Sequence, residues 1–294
     1  MKRKLFGIVY SFILILFTCY IALDTFVISK EYKVVNNDND SNTSKIKKGN
    51  VESDSTSYTD DNITITLKTY TKYNTKIYVA DVIVKDSSYL KTAFANNTYG
   101  KNVTEKTSTI SKSVNAILSI NGDYYGVQES GYVLKNGVIY RSSAKSNQED
   151  LVIYENGSFE IINESDVSIN SLKEKGAYNI LSFGPALIKN GKVSVSQNDE
   201  VAKSMRSNPR TAIGIIDDNH YVFVVSDGRT SESVGLSLYQ LATFMDTLNV
   251  KTAYNLDGGG SSTMYFNGNV VNNPTTNGNR ISERSVSDIV YIGY

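Results

Sequence analysis

The sequence is poor in the residues that build thiol and imidazole chemistry. It contains one cysteine, Cys19, which lies inside an apolar run, and one histidine, His220. A thiol nucleophile, a disulfide framework and a zinc site of cysteine or histidine ligands therefore lack their side chains. A Ser-His-Asp triad would have to use His220, which follows the polar residues 217–219 and is interpreted as a solvated residue at a hairpin tip. Acidic, basic and tyrosine side chains and backbone amides remain for catalysis.

The sequence also has no excess of charge of either sign. Lys plus Arg and Asp plus Glu both number 30, so we expect no broad basic surface and no nucleic-acid partner. An anionic substrate would have to be held by a few local groups. The 294 residues, 40% of them hydrophobic and 20% charged, have the composition of an ordinary globular protein. We therefore expect a folded core, and the sequence indicates no cofactor.

One long hydrophobic run lies at the amino terminus. Residues 5–23 carry no charge and follow the basic tail 1–4. As a helix this run would be roughly 28 Å long, about the thickness of a bilayer core. The positive tail favours a cytoplasmic amino terminus and export of everything downstream. We predict an uncleaved transmembrane signal-anchor with the rest of the chain extracytoplasmic. A cleaved signal peptide is the alternative, although no small-x-small cleavage site follows the run.

The next segment is polar. From Lys30 onward the chain is rich in Asn, Asp, Ser, Thr and Lys and has almost no large apolar residues. Such a composition buries too little apolar surface to order itself. We predict a disordered extracytoplasmic spacer over residues 24–61 and one folded domain over residues 62–294.

Strand patterns dominate that domain. Alternating residues 63–67 and the apolar run 77–84 predict strands. Asn-Gly pairs, which suit type I′ turns, predict four hairpins, at residues 136–137, 156–157, 190–191 and 267–268. Helices are few: one is predicted from a capping box at Ser237 to Leu248, and one across residues 105–115 that leads into a strand at 116–120. Many strands and few helices predict an α+β fold.

Four polar, glycine-bearing segments each lie next to a predicted strand, and we expect them to share one edge. Three consecutive glycines in the last segment let backbone amides approach a ligand closely. A tight turn closed by an Asx hydrogen bond is the alternative interpretation. The segments are residues 121–126, 208–212, 226–229 and 255–262.

The order of these segments resembles the phosphodiester glycosidase family. The resemblance covers roughly residues 62–294 and implies hydrolysis of a sugar-1-phosphodiester to a free sugar and a phosphomonoester. The expected sugar is α-linked N-acetylglucosamine or a related sugar, on cell-surface or exopolysaccharide glycans. The matching motifs are Asn121-Gly-Asp-Tyr-Tyr125, Phe183-Gly-Pro-Ala-Leu-Ile-Lys-Asn-Gly191, Asn208-Pro-Arg-Thr-Ala-Ile-Gly214, Ser226-Asp-Gly228, the helix at 238–248, Asn255-Leu-Asp-Gly-Gly-Gly-Ser261 and Arg284-Ser-Val-Ser-Asp288.

This activity would require charge stabilisation on the sugar and on the departing phosphate. We assign Arg210 to the phosphate, because its planar guanidinium matches two oxygens and stays charged. Asp257 is the first candidate for nucleophile or base, followed by Asp123 and then Asp227. A turn-capping role for each aspartate and a salt bridge for Arg210 are the alternatives.

The other polar groups of the same loops are predicted to bind the substrate. A Ca²⁺ ion on Asp227 or Asp257 is chemically possible, but no EF-hand-like spacing appears, so no metal is predicted. A non-catalytic glycan-binding or polysaccharide-assembly protein is the alternative function. The predicted substrate-binding residues are Asn121, Gly122, Tyr124, Gly184, Asn255, Gly258, Gly259, Gly260 and Ser261, with the hydroxyl of Ser262 beside them.

Overall fold

The computed structural model describes residues 2–35, 49–197 and 207–294. Over these residues the chain forms four α-helices and 21 β-strands. The helices are α1 Lys2–Phe26, α2 Thr107–Ser113, α3 Ile169–Glu174 and α4 Leu238–Asp246. The strands are β1 Lys30–Val34, β2 Glu52–Ser53, β3 Ser57–Thr59, β4 Ile63–Lys72, β5 Thr75–Val84, β6 Leu90–Phe94, β7 Thr98–Lys101, β8 Leu118–Asn121, β9 Val133–Lys135, β10 Val138–Arg141, β11 Glu149–Tyr154, β12 Phe159–Asn163, β13 Ala177–Leu181, β14 Ala186–Lys189, β15 Lys192–Val193, β16 Arg210–Asp217, β17 His220–Ser226, β18 Thr252–Leu256, β19 Met264–Phe266, β20 Asn269–Val270 and β21 Asp288–Ile292.

Two antiparallel sheets enclose the main core. The larger has nine strands in the order β15-β14-β18-β16-β17-β5-β4-β3-β2, and the smaller has five in the order β20-β19-β8-β21-β6. Phe223 of the larger sheet and Leu118 and Val290 of the smaller belong to one apolar cluster and are fully buried. Because strand side chains alternate between faces, the other face of the nine-stranded sheet is left for a helix.

Helix α4 covers that second face. Its apolar residues, among them Leu241 and Met245, pack with Val222 and Val224 of β17. The helix begins as predicted: Ser237 and Gln240 form a capping box. Helix α2 is shorter than predicted, because Glu105 forms a β-bridge with Val286 and so cannot enter the helix. The α+β prediction is confirmed.

Asn-Gly turns organise the hairpins as predicted. Three of the pairs form two-residue turns in which both residues have positive φ, a conformation that asparagine and glycine tolerate. At the fourth pair Gly157 alone has positive φ, at 82°, and the loop between β11 and β12 is longer. The three two-residue turns lie at residues 136–137, 190–191 and 267–268.

The predicted spacer is wrong at both of its ends. Helix α1 extends to Phe26, and β1 then pairs with β7 of the domain. At the other end, β3 pairs with β4, and the Asp60 carboxylate accepts hydrogen bonds from Tyr58, Tyr294 and two backbone amides. Backbone pairing and polar side chains therefore order residues that apolar burial alone would not. The middle of the predicted spacer, residues 36–48, lies outside the described residues.

Helix α1 contains the 22-residue span Leu5–Phe26, which is long and apolar enough to cross a membrane, and its most apolar stretch is not buried in the protein. It is one such helix among the residues described, and a signal sequence would have the same character.

Candidate active site

The structure brings the four polar loops together at one end of the sheets. Asn121 Nδ2 donates to the carbonyl of Asp257 at 2.7 Å, and the Asp257 amide donates to the carbonyl of Gly122. The Gly259 amide donates to the carbonyl of Pro209 at 2.8 Å. The expectation that these loops share one edge is therefore met. His220 begins β17 at its opposite end, with Nε2 2.5 Å from Asp81 Oδ1, so it is less solvated than predicted and distant from the loops along the strand.

Asp257 lies where β18 runs into the glycine-rich loop. Its Oδ1 accepts the Gly258 amide at 2.9 Å, and its Oδ2 lies 3.1 Å from Arg284 Nη2. The residue is 8% exposed. Burial raises the pKa of the Asp257 carboxyl, and the charge of Arg284 opposes that rise. The carboxylate is thus held in place, with a narrow path to solvent.

Arg284 binds this loop from outside. Its Nε donates to Ser261 Oγ at 2.9 Å, and its Nη2 donates to the carbonyl of Gly258 at 3.0 Å as well as to Asp257. Its side chain is nevertheless 42% exposed. The guanidinium therefore positions the loop and still presents charge to solvent.

A second guanidinium, that of Arg229, lies against the same loop. Its Nε and Nη2 donate to Asn208 Oδ1 at 3.2 and 3.1 Å, and its Nη1 donates to the carbonyl of Thr276. Partial burial and then the nearby charge of Arg284 lower the pKa of Arg229. Two guanidinium groups thus stand beside one carboxylate. The excess positive charge favours a bound anion.

The glycines of this loop are required by the protein itself. A Cβ at Gly258 would lie 2.9 Å from the backbone oxygen of Pro209. Gly259 has a φ of +63°, and its Cβ would lie 2.8 Å from Arg229 Nη2. Any side chain here would displace the neighbouring loop or the arginine. The triple glycine therefore lets Arg229 approach the backbone.

Several predicted substrate-binding residues are sealed inside the protein. Asn121 is fully buried, and its Oδ1 accepts a hydrogen bond from Thr211 Oγ1 at 2.8 Å. Asn255 is 2% exposed and its Nδ2 donates to the carbonyl of Gly184, whose amide donates back to Asn255. Gly122 packs so closely on Asp288 that a Cβ would collide with the carboxylate. The four predicted residues join the loops, and none presents a polar side chain to solvent. They are Asn121, Gly122, Gly184 and Asn255.

Asp123 is likewise sealed. Its Oδ2 lies 2.9 Å from Lys135 Nζ and accepts the Ser182 amide at 3.1 Å. Lys135 Nζ also lies 2.7 Å from Asp288 Oδ2, and all three charged side chains are at most 2% exposed. Burial, reinforced by Asp123 and opposed by Lys135, raises the pKa of Asp288 to about 7. Because its side chain is 0% exposed, Asp123 is poorly placed to contact a substrate.

Asp227 fastens a neighbouring loop. Its carboxylate accepts the amide of Asn273 at 2.8 Å and the hydroxyl of Tyr78 at 3.1 Å, and the residue is 3% exposed. Arg210 is 4% exposed, and its Nε donates to the carbonyl of Leu236 at 2.9 Å on the α4 side of the sheet. Both predicted catalytic residues therefore have internal partners, and the Arg210 Nε already donates to a backbone carbonyl.

The remaining predicted residues differ in exposure. Tyr124 is 44% exposed beside the loop that carries Asp123. Ser261 is buried and its hydroxyl accepts from Arg284, while the buried hydroxyl of Ser262 has no hydrogen-bond partner among the described residues. Among the described residues no group of three or more His, Cys, Asp or Glu is arranged to hold a metal ion.

The two exposed arginines were missed as site residues by the sequence reasoning. Arg229 directly follows the Ser226-Asp-Gly228 motif, and Arg284 begins the last matching motif. Both therefore lay within quoted segments. The exposure of their side chains distinguishes them from the buried Arg210. That exposure depends on which distant segments pack against each residue, which a local motif does not show.

The fold and the site together define an α+β protein whose glycine-rich loop holds one carboxylate beside two arginines. The chain belongs to the phosphodiester glycosidase family, whose sequence pattern matches residues 114–293. These residues include Arg229, Asp257 and Arg284.

Individual proteins resemble parts of the chain. An uncharacterised SPbeta prophage-derived protein, YomE of Bacillus subtilis (strain 168), is 30% identical over 177 residues, which are 59% of this chain and 26% of that protein. The mouse N-acetylglucosamine-1-phosphodiester alpha-N-acetylglucosaminidase is 39% identical over 66 residues, 22% of this chain and 13% of the enzyme. The chain thus matches about a quarter and about an eighth of the lengths of these relatives.

The fold has a counterpart among solved structures. The zebrafish N-acetylglucosamine-1-phosphodiester alpha-N-acetylglucosaminidase catalytic domain, auto-inhibited by its pro-peptide, superimposes with a TM-score of 0.64 at 19% identity. The match covers 91% of this chain and 88% of that domain. A hypothetical protein from Synechocystis gives a TM-score of 0.56 at 15% identity, covering 79% and 62% of the two chains. The likeness establishes the shared fold.

Proposed function

We propose that the protein hydrolyses the glycosidic bond of a sugar-1-phosphodiester and releases the free sugar and a phosphomonoester. The observation that carries this proposal is the Asp257 carboxylate beside the exposed guanidinium groups of Arg229 and Arg284. The Asp257 carboxylate suits the electron-poor anomeric carbon, and the two guanidinium groups suit the phosphate. The family to which the chain belongs supports this chemistry, and α-linked N-acetylglucosamine is the proposed sugar.

Each residue has a defined role in the proposed reaction. Arg229 and Arg284 hold the phosphate oxygens and stabilise the charge that develops as the bond to the anomeric carbon breaks. Asp257 acts on the anomeric carbon as a nucleophile, or on a water as a base. The electron pair of the broken bond leaves with the phosphate, which is already an acceptable leaving group.

Substrate binding would also change Asp257. In the free protein Arg284 holds this carboxylate at 3.1 Å. A phosphate that engages Arg284 competes for the same positive charge. Since Arg284 opposes the rise that burial causes in the pKa of Asp257, sharing the guanidinium with phosphate makes the carboxylate more basic. The substrate thereby activates the group that attacks it.

We further propose that α1 is retained as a single membrane anchor with the domain outside the cytoplasm, where glycans of the cell surface are its substrates. The basic residues before the apolar span favour this orientation. Protease added to intact cells is expected to release a fragment of the domain from the membrane. Full protection would overturn the orientation, and a mature amino terminus beyond Phe26 would show that the helix is cleaved.

The activity is tested with the full chain in detergent and a soluble α-N-acetylglucosaminyl phosphodiester. We expect equal amounts of free sugar and phosphomonoester. Saturable binding without release of sugar would overturn the hydrolase proposal and favour the glycan-binding alternative, for which the exposed ring of Tyr124 offers a stacking surface.

A further inference from the structure

The folded domain holds the end of α1 directly. Asn102, which follows β7, donates its Nδ2 to the carbonyls of Thr25 and Ile28 at 3.2 and 3.1 Å. Ser29 Oγ donates back to the carbonyl of Asn102 at 2.9 Å. Carbonyls at the end of a helix lack partners within it. Asn102 supplies those partners from the domain, so the helix end and the domain are joined by side-chain contacts as well as by the chain.

Strand β1 makes this junction stiff. Only the three residues 27–29 separate it from the end of α1, and it pairs antiparallel with β7. The ring of Tyr32 packs on Tyr99 with centroids 5.9 Å apart, and Lys33 Nζ lies 4.9 Å from the ring centroid of Tyr140. The segment that leaves the helix is thus a strand of the domain and cannot act as a flexible tether.

Side chains at this junction suit a membrane interface. Val27 and Ile28 are apolar and exposed, and Tyr32 is 58% exposed. Lys30 and Lys33 lie on the same strand as Tyr32. Tyrosine and lysine are favoured at the boundary between the acyl chains and the head groups. The junction therefore lies at the bilayer surface when α1 spans the membrane.

A short path of hydrogen bonds and chain connects this junction to the candidate active site, and it limits the distance between them. The Asn102 amide donates to the carbonyl of Gly126 at 2.9 Å, and the carbonyl of Gly122, four residues earlier, accepts the Asp257 amide at 3.3 Å. At no more than about 3.6 Å per residue, this path places Asp257 within about 40 Å of Ile28. A fully extended spacer over residues 24–61 would have allowed about 130 Å.

We infer that the substrate is carried by a lipid of the same membrane leaflet, the second ester of its phosphate being a lipid alcohol. The inference rests on the proposed function and on retention of α1. A domain fixed at the bilayer surface is confined to phosphodiesters within about 40 Å of that surface, where lipid-borne esters have a high effective concentration, and it does not reach glycans farther out. In the reaction, water adds its hydroxyl to the anomeric carbon, the carbon–oxygen bond to phosphate breaks, and the lipid phosphate leaves with the electron pair while the water proton passes to solvent.

The test uses the full chain reconstituted in phosphatidylcholine vesicles with three α-N-acetylglucosaminyl phosphodiesters. The first is a soluble short-chain ester, the second a long-chain lipid ester, and the third is held from a lipid by a polyproline rod roughly 90 Å long. We expect the lipid ester to be cleaved at least about tenfold faster than the rod-borne ester.

A matched variant combines Asn102→Gly, which tolerates the positive φ of 56° at this position, with a flexible Gly-Ser insertion after Ile28. We expect it to cleave the rod-borne ester as fast as the lipid ester and the soluble ester at the wild-type rate.

Two results would overturn the inference. Equal wild-type rates on the lipid and rod-borne esters would show that the junction does not restrict reach. Recovery of the active protein in the soluble fraction, without α1, would remove its premise. Failure to cleave even the soluble ester would instead reject the proposed function itself, so the two failures are distinguishable.

Discussion

Two carboxylates at the same end of the molecule each pair with a cation, yet they differ in access to water. Asp257 lies 3.1 Å from Arg284, whose side chain is 42% exposed. Asp123 lies 2.9 Å from Lys135, and both side chains are at most 2% exposed. An exposed cation can exchange its partner for a substrate anion, whereas a sealed one cannot without unfolding. The first pair is therefore the one that we propose for chemistry, and the second belongs to the architecture that holds the loops.

The largest effect is expected from Lys135→Met in the sealed pair. It would leave Asp123 and Asp288 buried without their shared cation, which should lower the free energy of unfolding by about 3–5 kcal/mol. Urea unfolding measures this loss. The matched control is Lys68→Met on β4, where the side chain is exposed, with an expected change within about 0.5 kcal/mol. Equal stability of the two variants would contradict the distinction between sealed and open pairs.

Asp257→Asn should impair catalysis, where Lys135→Met impairs stability. The amide keeps the size of the side chain but supplies no anionic nucleophile or base, so turnover should fall about a thousandfold, or about 4 kcal/mol, with little change in substrate affinity. Turnover and affinity are measured on the soluble phosphodiester. Asp246→Asn, at the exposed end of α4, is the control and should retain full activity. Wild-type turnover by Asp257→Asn would transfer the catalytic role to another group.

Asp288, which shares Lys135 with Asp123, should also make the free energy of unfolding depend on pH. The pKa of Asp288 is raised to about 7, against about 3.9 in an unfolded chain, so the folded state holds this proton more tightly. The stabilisation is complete below about pH 4 and is lost as the pH rises to 7, at up to about 1.4 kcal/mol per pH unit. Urea midpoints at several pH values measure the slope. Asp288→Asn should flatten it, and an unchanged slope would assign the effect to other buried carboxyls, such as Asp150.

The smallest expected effect is on phosphodiester binding, and it distinguishes Arg284 from Arg210. Arg284→Lys keeps the charge but loses the planar fork, and should weaken phosphodiester binding by about 1–3 kcal/mol. Arg210→Lys should leave affinity unchanged and lower thermal stability instead, because Arg210 is buried against the carbonyl of Leu236. Binding and melting temperature are measured for both variants. Weaker binding by the Arg210 variant alone would restore the original assignment of Arg210 to the phosphate.

Local features of the fold were predictable because their causes are local. Three of the four Asn-Gly pairs form the two-residue turn that they predict, and the capping box at Ser237 needs only Gln240. The meeting of the polar loops followed from their positions beside strands. The two-sheet arrangement and its strand order depend on long-range packing that no short motif specifies.

The ranking of site residues depended on distant parts of the chain. Asp123 resembles Asp257 in sequence, but Lys135 and Asp288 close over it. Arg210 begins β16 with its side chain turned to the face covered by α4, while Arg229 lies on an open loop. The spacer was mispredicted because composition reports apolar burial and does not report backbone pairing with an edge such as β7.

The pairing of β1 with β7 also bears on the solubility of any shed form of the protein. An unpaired strand edge is a template for association with other chains. A protease cut after residue 35 would remove β1 and expose the β7 backbone together with Tyr99, which is now 8% exposed. A domain released in this way would tend to self-associate, whereas a cut before Lys30 would leave the edge covered. The position of a cut would thus decide between a soluble product and an aggregating one.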